Sequence, residues 1–379
     1  MDRMAIYKKP NLTVISSAPL IKTSEGLFLY KPYETEMQLW TRYAADIVFC
    51  CPVWKEDRGL LKSKVSFEIQ KTTELKEFDV KTFGAIFTSF WAIFYNAYKM
   101  FGVMQQAEHI HLRCPGNMGL IGCIVQVFFP KKKKTAKYAG NWDLSAKQPW
   151  SYRLQKWILN NTFLTKNMQV LVYGEWEGSS VNIKSFFTAT YSELEKEAVT
   201  KRELNAVIHF LFVGTLSEGK RPLYAIQLVE QLMQSGRKVS LQIFGEGLQR
   251  NLLEDYIDAH NLCKFIILEG NQTKEVVLDA YKKAHFLLLP SKSEGWPKVV
   301  AEAMFWGCIP MATRISCVPH MLNEGKRGII LKLNLAEDVE QIETLLSHPA
   351  LFEHMGEEAE AWSRLYTTER FENEIKNLL

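Results

Sequence analysis

Two glutamates, Glu294 and Glu302, are the side chains whose spacing and setting most clearly indicate chemistry. They flank the start of a predicted helix that follows the apolar strand Phe286–Leu289. The backbone N–H groups at this helix start, those of Lys298 and Val299, favour a phosphate because the positive end of the helix dipole lies there. Carboxylates beside a phosphate would repel it unless they bind neutral hydroxyls. We therefore interpret both glutamates as hydrogen-bond acceptors for sugar and ribose hydroxyl groups.

The same segment contains the residues that should start and end this helix. Pro297 suits the first turn, because the N–H that proline lacks would have no partner there anyway. Gly307 follows where a helix C-terminus favours a left-handed backbone. These two signals place Glu294 in the loop before the helix and Glu302 inside the helix.

The second half of the chain alternates short β-rich runs with segments of helical periodicity. This alternation is typical of βαβ units, which build a parallel sheet covered by helices on both faces. The predicted strands are His209–Val213, Ser240–Phe244, Phe265–Leu268, Phe286–Leu289, Ile309–Ala312 and Gly328–Leu331. The clearest predicted helices are Tyr224–Gln234 and Leu248–His260.

The first half predicts a second, more irregular α/β unit. Its predicted strands are Leu12–Ser16, Ile47–Cys50, His109–Leu112, Thr135–Tyr138, Val170–Val172 and Phe186–Phe187. Its predicted helices are Glu34–Tyr43, Phe83–Phe101, Met118–Phe129 and Pro149–Leu159. A charged segment, Ser192–Asn205, separates the halves and predicts domains at 1–198 and 199–361. We expect two Rossmann-like, doubly wound domains that face a central cleft holding the ligand.

Composition narrows the classes of function. The net charge of +4 over 379 residues is too weak to indicate a nucleic-acid partner. The seven cysteines include no C-x-x-C pair, which disfavours a zinc site and favours a reducing compartment. The N-terminus lacks the pattern of a signal peptide, and polar residues interrupt the apolar stretch Phe83–Val103. We expect a cytoplasmic protein without a membrane span.

Three motifs in the second half resemble the retaining glycosyltransferases of family 4, which have the two-domain GT-B fold. The motifs are Phe212–Lys220, Phe244–Gly247 and Ser293–Met304. They occur in the family's order, and the resemblance covers most of the second half. It implies that Glu294 contacts the donor sugar and that Glu302 contacts the ribose.

The resemblance also assigns residues to the phosphates and the nucleotide. Lys220 occupies the position of the family's phosphate-binding lysine, whose ammonium would stabilise the charge of the leaving diphosphate. Thr215 replaces the family's usual arginine, and Arg221, Arg314 or Arg113 could supply that charge. The remaining donor-binding positions are Gly214, Thr215, Gly245, Gly247, Gly295, Trp296, Lys298 and Val299.

In the first half, Glu108–Arg113 resembles the family's strand that carries a histidine near the donor phosphate. The catalytic position falls on either His111 or Arg113. Four residues in or near loops predicted to face the cleft are assigned to the acceptor side, namely Gly26, Arg113, Asn141 and Asp143. The C-terminal helix, residues 362–379, is expected to pack back on the first domain, as it does in the family.

The resemblance implies a hexosyltransferase that moves a sugar from a nucleotide diphospho-sugar to a glycan or lipid-linked acceptor with retention. It favours a role in bacterial surface polysaccharide or lipopolysaccharide assembly. No D-x-D sequence occurs, so we expect no metal cofactor. Two alternatives stay open. One is a nucleotide-sugar epimerase of the same fold, and the other is a catalytically silent subunit that binds the nucleotide sugar.

A basic run, Lys131–Lys134, follows the predicted helix Met118–Phe129. Such a run is typical of a solvated loop. The alternative is attraction to anionic lipid, worth about 1 kcal/mol for each basic residue near the surface. Together with the aromatic stretch Phe83–Phe101, that attraction would hold the first domain on the inner face of the cytoplasmic membrane as a peripheral protein.

Overall fold

The computed structural model describes residues 9–78 and 83–379, and the chain forms two compact units. The first unit contains the residues up to Phe186 together with Glu372–Leu379, and the second spans Phe187–Phe371. The chain therefore enters the second unit before the predicted boundary at 198/199. Of the predicted C-terminal segment 362–379, only the part from Glu372 onward groups with the first unit.

The first unit is built on a parallel sheet with the strand order β11-β10-β9-β8-β1-β4-β7. In chain order, the strands of this unit are β1 (Leu12–Ile15), β2 (Leu20–Thr23), β3 (Gly26–Tyr30), β4 (Ile47–Cys51), β5 (Val53–Trp54), β6 (Lys62–Lys64), β7 (Lys71–Glu74), β8 (His109–Cys114), β9 (Lys133–Tyr138), β10 (Met168–Tyr173) and β11 (Ile183–Phe186). Its helices are α1 (Lys31–Thr41), α2 (Phe83–Gln106), α3 (Asn117–Val125) and α4 (Trp150–Leu159).

The second unit contains a six-stranded parallel sheet with the order β14-β13-β12-β15-β16-β17. Its strands are β12 (Ile208–Val213), β13 (Val239–Phe244), β14 (Ile266–Gly270), β15 (Phe286–Leu289), β16 (Ile309–Thr313) and β17 (Ile329–Leu331). Its helices are α5 (Pro222–Gln234), α6 (Arg250–Ala259), α7 (Lys274–Lys283), α8 (Lys298–Phe305), α9 (Val318–Met321), α10 (Leu335–Leu346) and α11 (Pro349–Ser363). The last helix, α12 (Thr368–Leu378), crosses the boundary between the units.

The predicted strands recur in the structure with shifted ends, which confirms two parallel α/β sheets. The small sheet β5-β2-β3-β6 and the edge strand β7 were not predicted. These strands are short and several carry charged, exposed residues, so their hydrophobic pattern is weak. The loop predicted around Gly26 was also misplaced: Gly26 begins β3 in a hairpin, with a φ of 128°.

Each parallel sheet has one place where the strand order reverses. In the second unit it lies between β12 and β15, whose residues Phe210 and Phe286 stack with ring centroids 5.1 Å apart in the core. In the first unit it lies between β1 and β8. Ligands of doubly wound sheets bind beyond the carboxyl ends of the strands at such a reversal. We therefore expect ligand-binding residues in the loops after β12, β15, β1 and β8.

Candidate functional site

Lys220 and Glu294 meet at the strand reversal of the second unit. Lys220 lies in the loop after β12, and Glu294 lies in the loop after β15. The Nζ atom of Lys220 donates a hydrogen bond to Oε1 of Glu294, and the two side chains are 28% and 11% exposed. The structure thus brings together two side chains that are far apart in the sequence and that the sequence assigned to one donor site.

Backbone contacts hold the two loops against each other. The N–H of Lys292 donates to the carbonyl of Gly219 at 2.7 Å. Arg221, whose φ is 52°, donates from Nη1 to the carbonyl of Pro290 at 3.1 Å. Because these links do not involve the Lys220 or Glu294 side chains, the loops keep their places when either side chain turns to a ligand.

Helix α8 starts directly after the Glu294 loop. Pro297 caps the helix, and Lys298 and Val299 are its first residues, so their N–H groups have no partner inside the helix. At the other end Gly307 has a φ of 66°, which confirms the left-handed residue predicted there. The helix start, Lys220 and Glu294 therefore belong to one strand-loop-helix edge of the second unit.

The two glycines of the Gly245-x-Gly247 motif are explained by backbone packing. A Cβ atom on Gly245 would lie 2.0 Å from the carbonyl oxygen of Gly214, and one on Gly247 would lie 2.4 Å from that of Leu216. The N–H groups of Gly214 and Leu216 donate to the carbonyls of Phe244 and Glu246, both at 2.9 Å. The motif lets the chain after β13 lie directly on the chain after β12, which leaves Thr215 exposed.

Residues 195–362 match the family model described as Glycosyl transferases group 1. The second unit carries a group 1 glycosyltransferase domain. The α-D-kanosaminyltransferase of Streptomyces kanamyceticus is 28% identical to this chain over 150 residues, which are 39% of each protein. An uncharacterized glycosyltransferase of Haemophilus influenzae is 28% identical over 193 residues, covering 49% of this chain and 52% of the relative. The chain thus spans about half the length of these relatives or less.

Solved structures show the fold of the whole chain. The lipopolysaccharide outer core galactosyltransferase WaaB in its apo form superposes with a TM-score of 0.70 at 16% identity, covering 97% of this chain and 98% of WaaB. Anabaena HepE in complex with UDP gives a TM-score of 0.67 at 12% identity, covering 97% of this chain and 98% of HepE. At these identities the likeness establishes the GT-B fold and nothing finer.

Two donor-site assignments of the group 1 domain lie in unexpected settings. Glu302 accepts hydrogen bonds from the hydroxyls of Thr190, at 2.8 Å, and Tyr281, at 3.2 Å. The sequence gave no signal for these two partners. Trp296 is 8% exposed and stacks on Trp362, with centroids 6.2 Å apart. The ring of Trp296 therefore supports the loop after β15 from within the core, while the donor contact of Trp296 and the ribose contact of Glu302 stay predictions.

The loop after β15 is also anchored through its glycine. The carbonyl of Gly295 accepts a hydrogen bond from Oγ of Ser316 at 2.9 Å. Two of the arginines predicted to substitute at the Thr215 position have partners: Arg221 links the loops after β12 and β15, and Arg314 pairs with Glu324 at 2.7 Å. Arg221 is therefore the candidate that the fold of this domain places next to Lys220.

In the first unit, His111 is fully buried. Its Nδ1 lies 2.8 Å from Oγ1 of Thr135, and its ring packs on Trp40 with centroids 4.2 Å apart. Burial lowers the pKa of His111 to about 3, so the ring is neutral near pH 7. The ring has no solvent-exposed surface, and the catalytic role of His111 stays a prediction.

Arg113 lies near the carboxyl end of β8 and belongs to a charged cluster of three side chains. Its Nη1 donates to Oε2 of Glu36 at 3.2 Å, and Nζ of Lys137 lies 2.9 Å from the same oxygen. Burial raises the pKa of Glu36, but the attraction of Lys137 and Arg113 outweighs it and brings the pKa to about 2. The sequence identified Arg113 and missed both partners, because they come from α1 and β9.

This cluster predicts an acid-sensitive first unit. The pKa of Glu36 falls from 4.5 to about 2 on folding. The contribution of Glu36 to the free energy of unfolding is therefore complete above pH 4.5 and is lost as the pH falls to about 2. The linked free energy is about 3 kcal/mol. Urea unfolding at several pH values in this range should show a shallower pH dependence for Glu36→Gln than for the wild type. Equal slopes would contradict the assignment.

The other predicted acceptor-side residues form local structure. Oδ1 of Asn141 accepts from the N–H of Asp143 at 2.9 Å, and Oδ1 of Asp143 accepts from Oγ of Ser145 at 2.6 Å. This turn follows β9, next to the strand that carries Arg113. Gly26 lies in the separate small sheet, so the structure does not group it with these loops.

The basic run Lys131–Lys134 is not simply a solvated loop, as the sequence had favoured. Lys134 is 1% exposed in β9, and its Nζ donates to Oε1 of Gln126 at 2.8 Å. Lys132 donates to the carbonyl of Ala107 at 2.6 Å. Lys133 donates to the carbonyl of Leu379 at 3.0 Å. Three of the four ammonium groups thus donate to acceptors within the first unit.

Proposed function

We propose that the protein transfers a sugar from a nucleotide diphospho-sugar to an acceptor hydroxyl, with retention at the anomeric carbon. The pairing of Lys220 and Glu294 at the carboxyl ends of β12 and β15 carries this proposal. A cation beside a hydroxyl-binding acid matches the two parts of such a donor, its diphosphate and its sugar. The start of α8 adds a helix dipole that favours the phosphate.

Each residue has a separate task in the proposed reaction. The ammonium of Lys220 stabilises the negative charge that grows on the diphosphate as the glycosidic bond breaks. Glu294 accepts a hydrogen bond from a sugar hydroxyl and so fixes the ring, and Glu302 accepts from the ribose. The acceptor oxygen bonds to the anomeric carbon on the face that the phosphate leaves, and its proton passes to the departing phosphate oxygen. We propose no metal for this step.

The relatives support hexosyl transfer as the reaction class. One relative is a kanosaminyltransferase, and one protein of the same fold is a lipopolysaccharide galactosyltransferase. HepE was solved with UDP bound, which supports a uridine diphosphate donor as the first to test. We propose a role in bacterial surface polysaccharide or lipopolysaccharide assembly on the same grounds.

A donor screen tests the proposed function. Nucleotide diphospho-sugars that bind the folded protein should raise its melting temperature, by linkage. The stabilising donor is then incubated with and without a chelator and with glycan extracts, and its products are separated. A transferred sugar, with or without the chelator, is the expected result. Epimerised donor in the absence of any extract would identify an epimerase, and bound but unchanged donor would identify a silent subunit.

We also propose that the first unit rests on an anionic membrane from the cytoplasmic side. Helix α2 carries an aromatic face, defined as Phe90, Trp91, Phe94, Tyr98 and Phe101, whose exposed fractions run from 42% to 77%. Apolar patches of this kind on a protein surface mark interaction sites. Neither α2 nor α3 contains an acidic residue, which suits an anionic lipid surface. Among the described residues, no helix is long and apolar enough to span a membrane.

Vesicle binding tests this surface. The double variant Trp91→Ser/Tyr98→Ser should bind anionic vesicles at least about tenfold more weakly than the wild type, because binding scales with buried apolar area. Leu194→Ser is the matched control, since Leu194 is 94% exposed and lies in the second unit. Unchanged vesicle binding by the double variant would overturn the proposal. A concentration-dependent dimer that the double variant loses would assign the face to a second copy instead.

A further inference from the structure

In the cluster of Glu36, Arg113 and Lys137, two basic side chains share one carboxylate. Arg113 and Lys137 are register partners on the adjacent strands β8 and β9, and both contact the same carboxylate oxygen, Oε2 of Glu36. The side chains of Glu36 and Lys137 are 9% and 0% exposed. Oε1 of Glu36 is buried without a hydrogen-bond partner. Because Oε1 has no partner, Arg113 contacts this carboxylate through one oxygen only.

Arg113 is the member of this cluster that a ligand can reach. Its side chain is 20% exposed, and its guanidinium carbon lies 4.2 Å from the ring centroid of Tyr33. Of the five N–H donors of a guanidinium, one is used on Glu36. The planar guanidinium has further N–H donors, and their geometry matches the oxygens of a phosphate or a carboxylate.

The position of Arg113 in the sheet also points to a ligand. It is the last residue but one of β8, at the strand reversal between β1 and β8. The loops beyond these strands touch, since the N–H of Met118 donates to Oγ of Ser17 at 3.2 Å. A Cβ on Gly116 would lie 2.5 Å from the same Ser17 oxygen, and the φ of Gly116 is 155°. The backbone at this edge is thus closely packed around the carboxyl end of β8.

We propose that Arg113 binds an oxyanion, a phosphate or a carboxylate, carried by the sugar acceptor. The acceptor is then an anionic glycan or glycolipid, and its oxyanion accepts from N–H groups of Arg113 that Glu36 does not use. This inference rests on the proposed function, because it names the substrate that receives the sugar. It assigns the first unit a task that the donor site of the second unit does not perform.

The test uses the full chain with Lys220→Ala as background, because that substitution removes the lysine proposed to hold the donor phosphate. Inorganic phosphate and malonate are titrated at matched ionic strength against chloride, and melting temperatures are read. We expect phosphate or malonate, or both, to stabilise the background variant more than chloride does. Adding Arg113→Gln should weaken the apparent affinity for the stabilising anion about tenfold. Arg113→Lys keeps the charge but lacks the planar guanidinium, so it should restore part of that affinity.

The arms of this experiment separate the possible results. A stronger effect of phosphate assigns a phosphorylated acceptor, and a stronger effect of malonate assigns an acidic sugar. The proposal would be overturned if the melting temperature rose equally with phosphate or malonate in the presence and absence of Arg113→Gln. It would also be overturned if neither anion raised the melting temperature more than chloride does.

A UDP titration separates this proposal from the proposed function. Weaker UDP binding by Arg113→Gln in the otherwise native chain would also overturn it, because Arg113 would then serve the donor. If the wild type binds no nucleotide while phosphate still acts through Arg113, the oxyanion site stands and the proposed transferase function fails.

Discussion

Lys220→Ala and Glu294→Gln each lower kcat by about 10²–10³-fold while the protein stays folded. The lysine supplies charge that matters most as the diphosphate leaves, so its loss acts on the transition state more than on donor binding. The glutamine keeps the size of Glu294 but loses the charge that accepts from the sugar and holds Lys220. Because Glu294 is only 11% exposed, losing one partner of this pair should cost about 1–3 kcal/mol of stability.

Donor hydrolysis and transfer rates, measured beside circular dichroism and thermal unfolding, check this result. Lys292→Ala is the matched control, because Lys292 forms an ion pair with Glu218 across the same two loops and both side chains are more exposed. The control should turn over at the wild-type rate. If Lys220→Ala or Glu294→Gln turned over at the wild-type rate, the prediction that the donor binds at the strand reversal of the second unit would be wrong.

Gly245→Ala should destabilise the second unit by about 4 kcal/mol and abolish donor binding. The new methyl group would lie 2.0 Å from the carbonyl oxygen of Gly214, and the φ of Gly245, 136°, is one that alanine rarely adopts. The clash is with backbone, so no side chain can move aside. Relief requires the chain after β13 to move away from the chain after β12, which carries the loop of Lys220.

Gly219→Ala provides the control for this substitution. Gly219 lies in the same loop as Lys220, has no left-handed φ, and would place its Cβ 3.9 Å from Oγ of Ser217, an ordinary contact. It should melt close to the wild type and bind donor normally. Urea denaturation measures the free energy of unfolding of both variants, and donor titrations measure their affinity for the donor. Equal stability of the two would show that the loops after β12 and β13 can separate at little cost.

The strand, loop and helix around Glu294 could be predicted because their information is local in the chain. An apolar strand, a polar loop and a capped helix follow one another from Phe286 to Gly307, so strand-end geometry follows from order alone. The pairing of Lys220 with Glu294 needed the resemblance as well. The sequence does not state that β12 and β15 are neighbours, and only the sheet order makes them so.

The first unit was less predictable, because its important contacts join distant elements. Glu36 lies in a helix, Arg113 and Lys137 lie in two strands, and no motif connects them. Lys134 shows the same limit: four consecutive lysines are typical of a solvated surface, yet Lys134 lies in β9, whose residues are buried from Lys134 to Tyr138. The short strands of the small sheet escaped notice because they carry little hydrophobic alternation.

The Lys220–Glu294 pair has a consequence for the end of the catalytic cycle. The Nζ atom of Lys220 and a carboxylate oxygen of Glu294 pair with each other in the structure. In the proposed cycle, a nucleoside diphosphate that has lost its sugar would still contact Lys220 but would offer no sugar hydroxyl to Glu294. Because Glu294 is part of the same chain, it would compete for the ammonium at a local concentration that does not fall with dilution. We therefore expect the internal pair to re-form as the nucleotide leaves, and inhibition by this product to be weak.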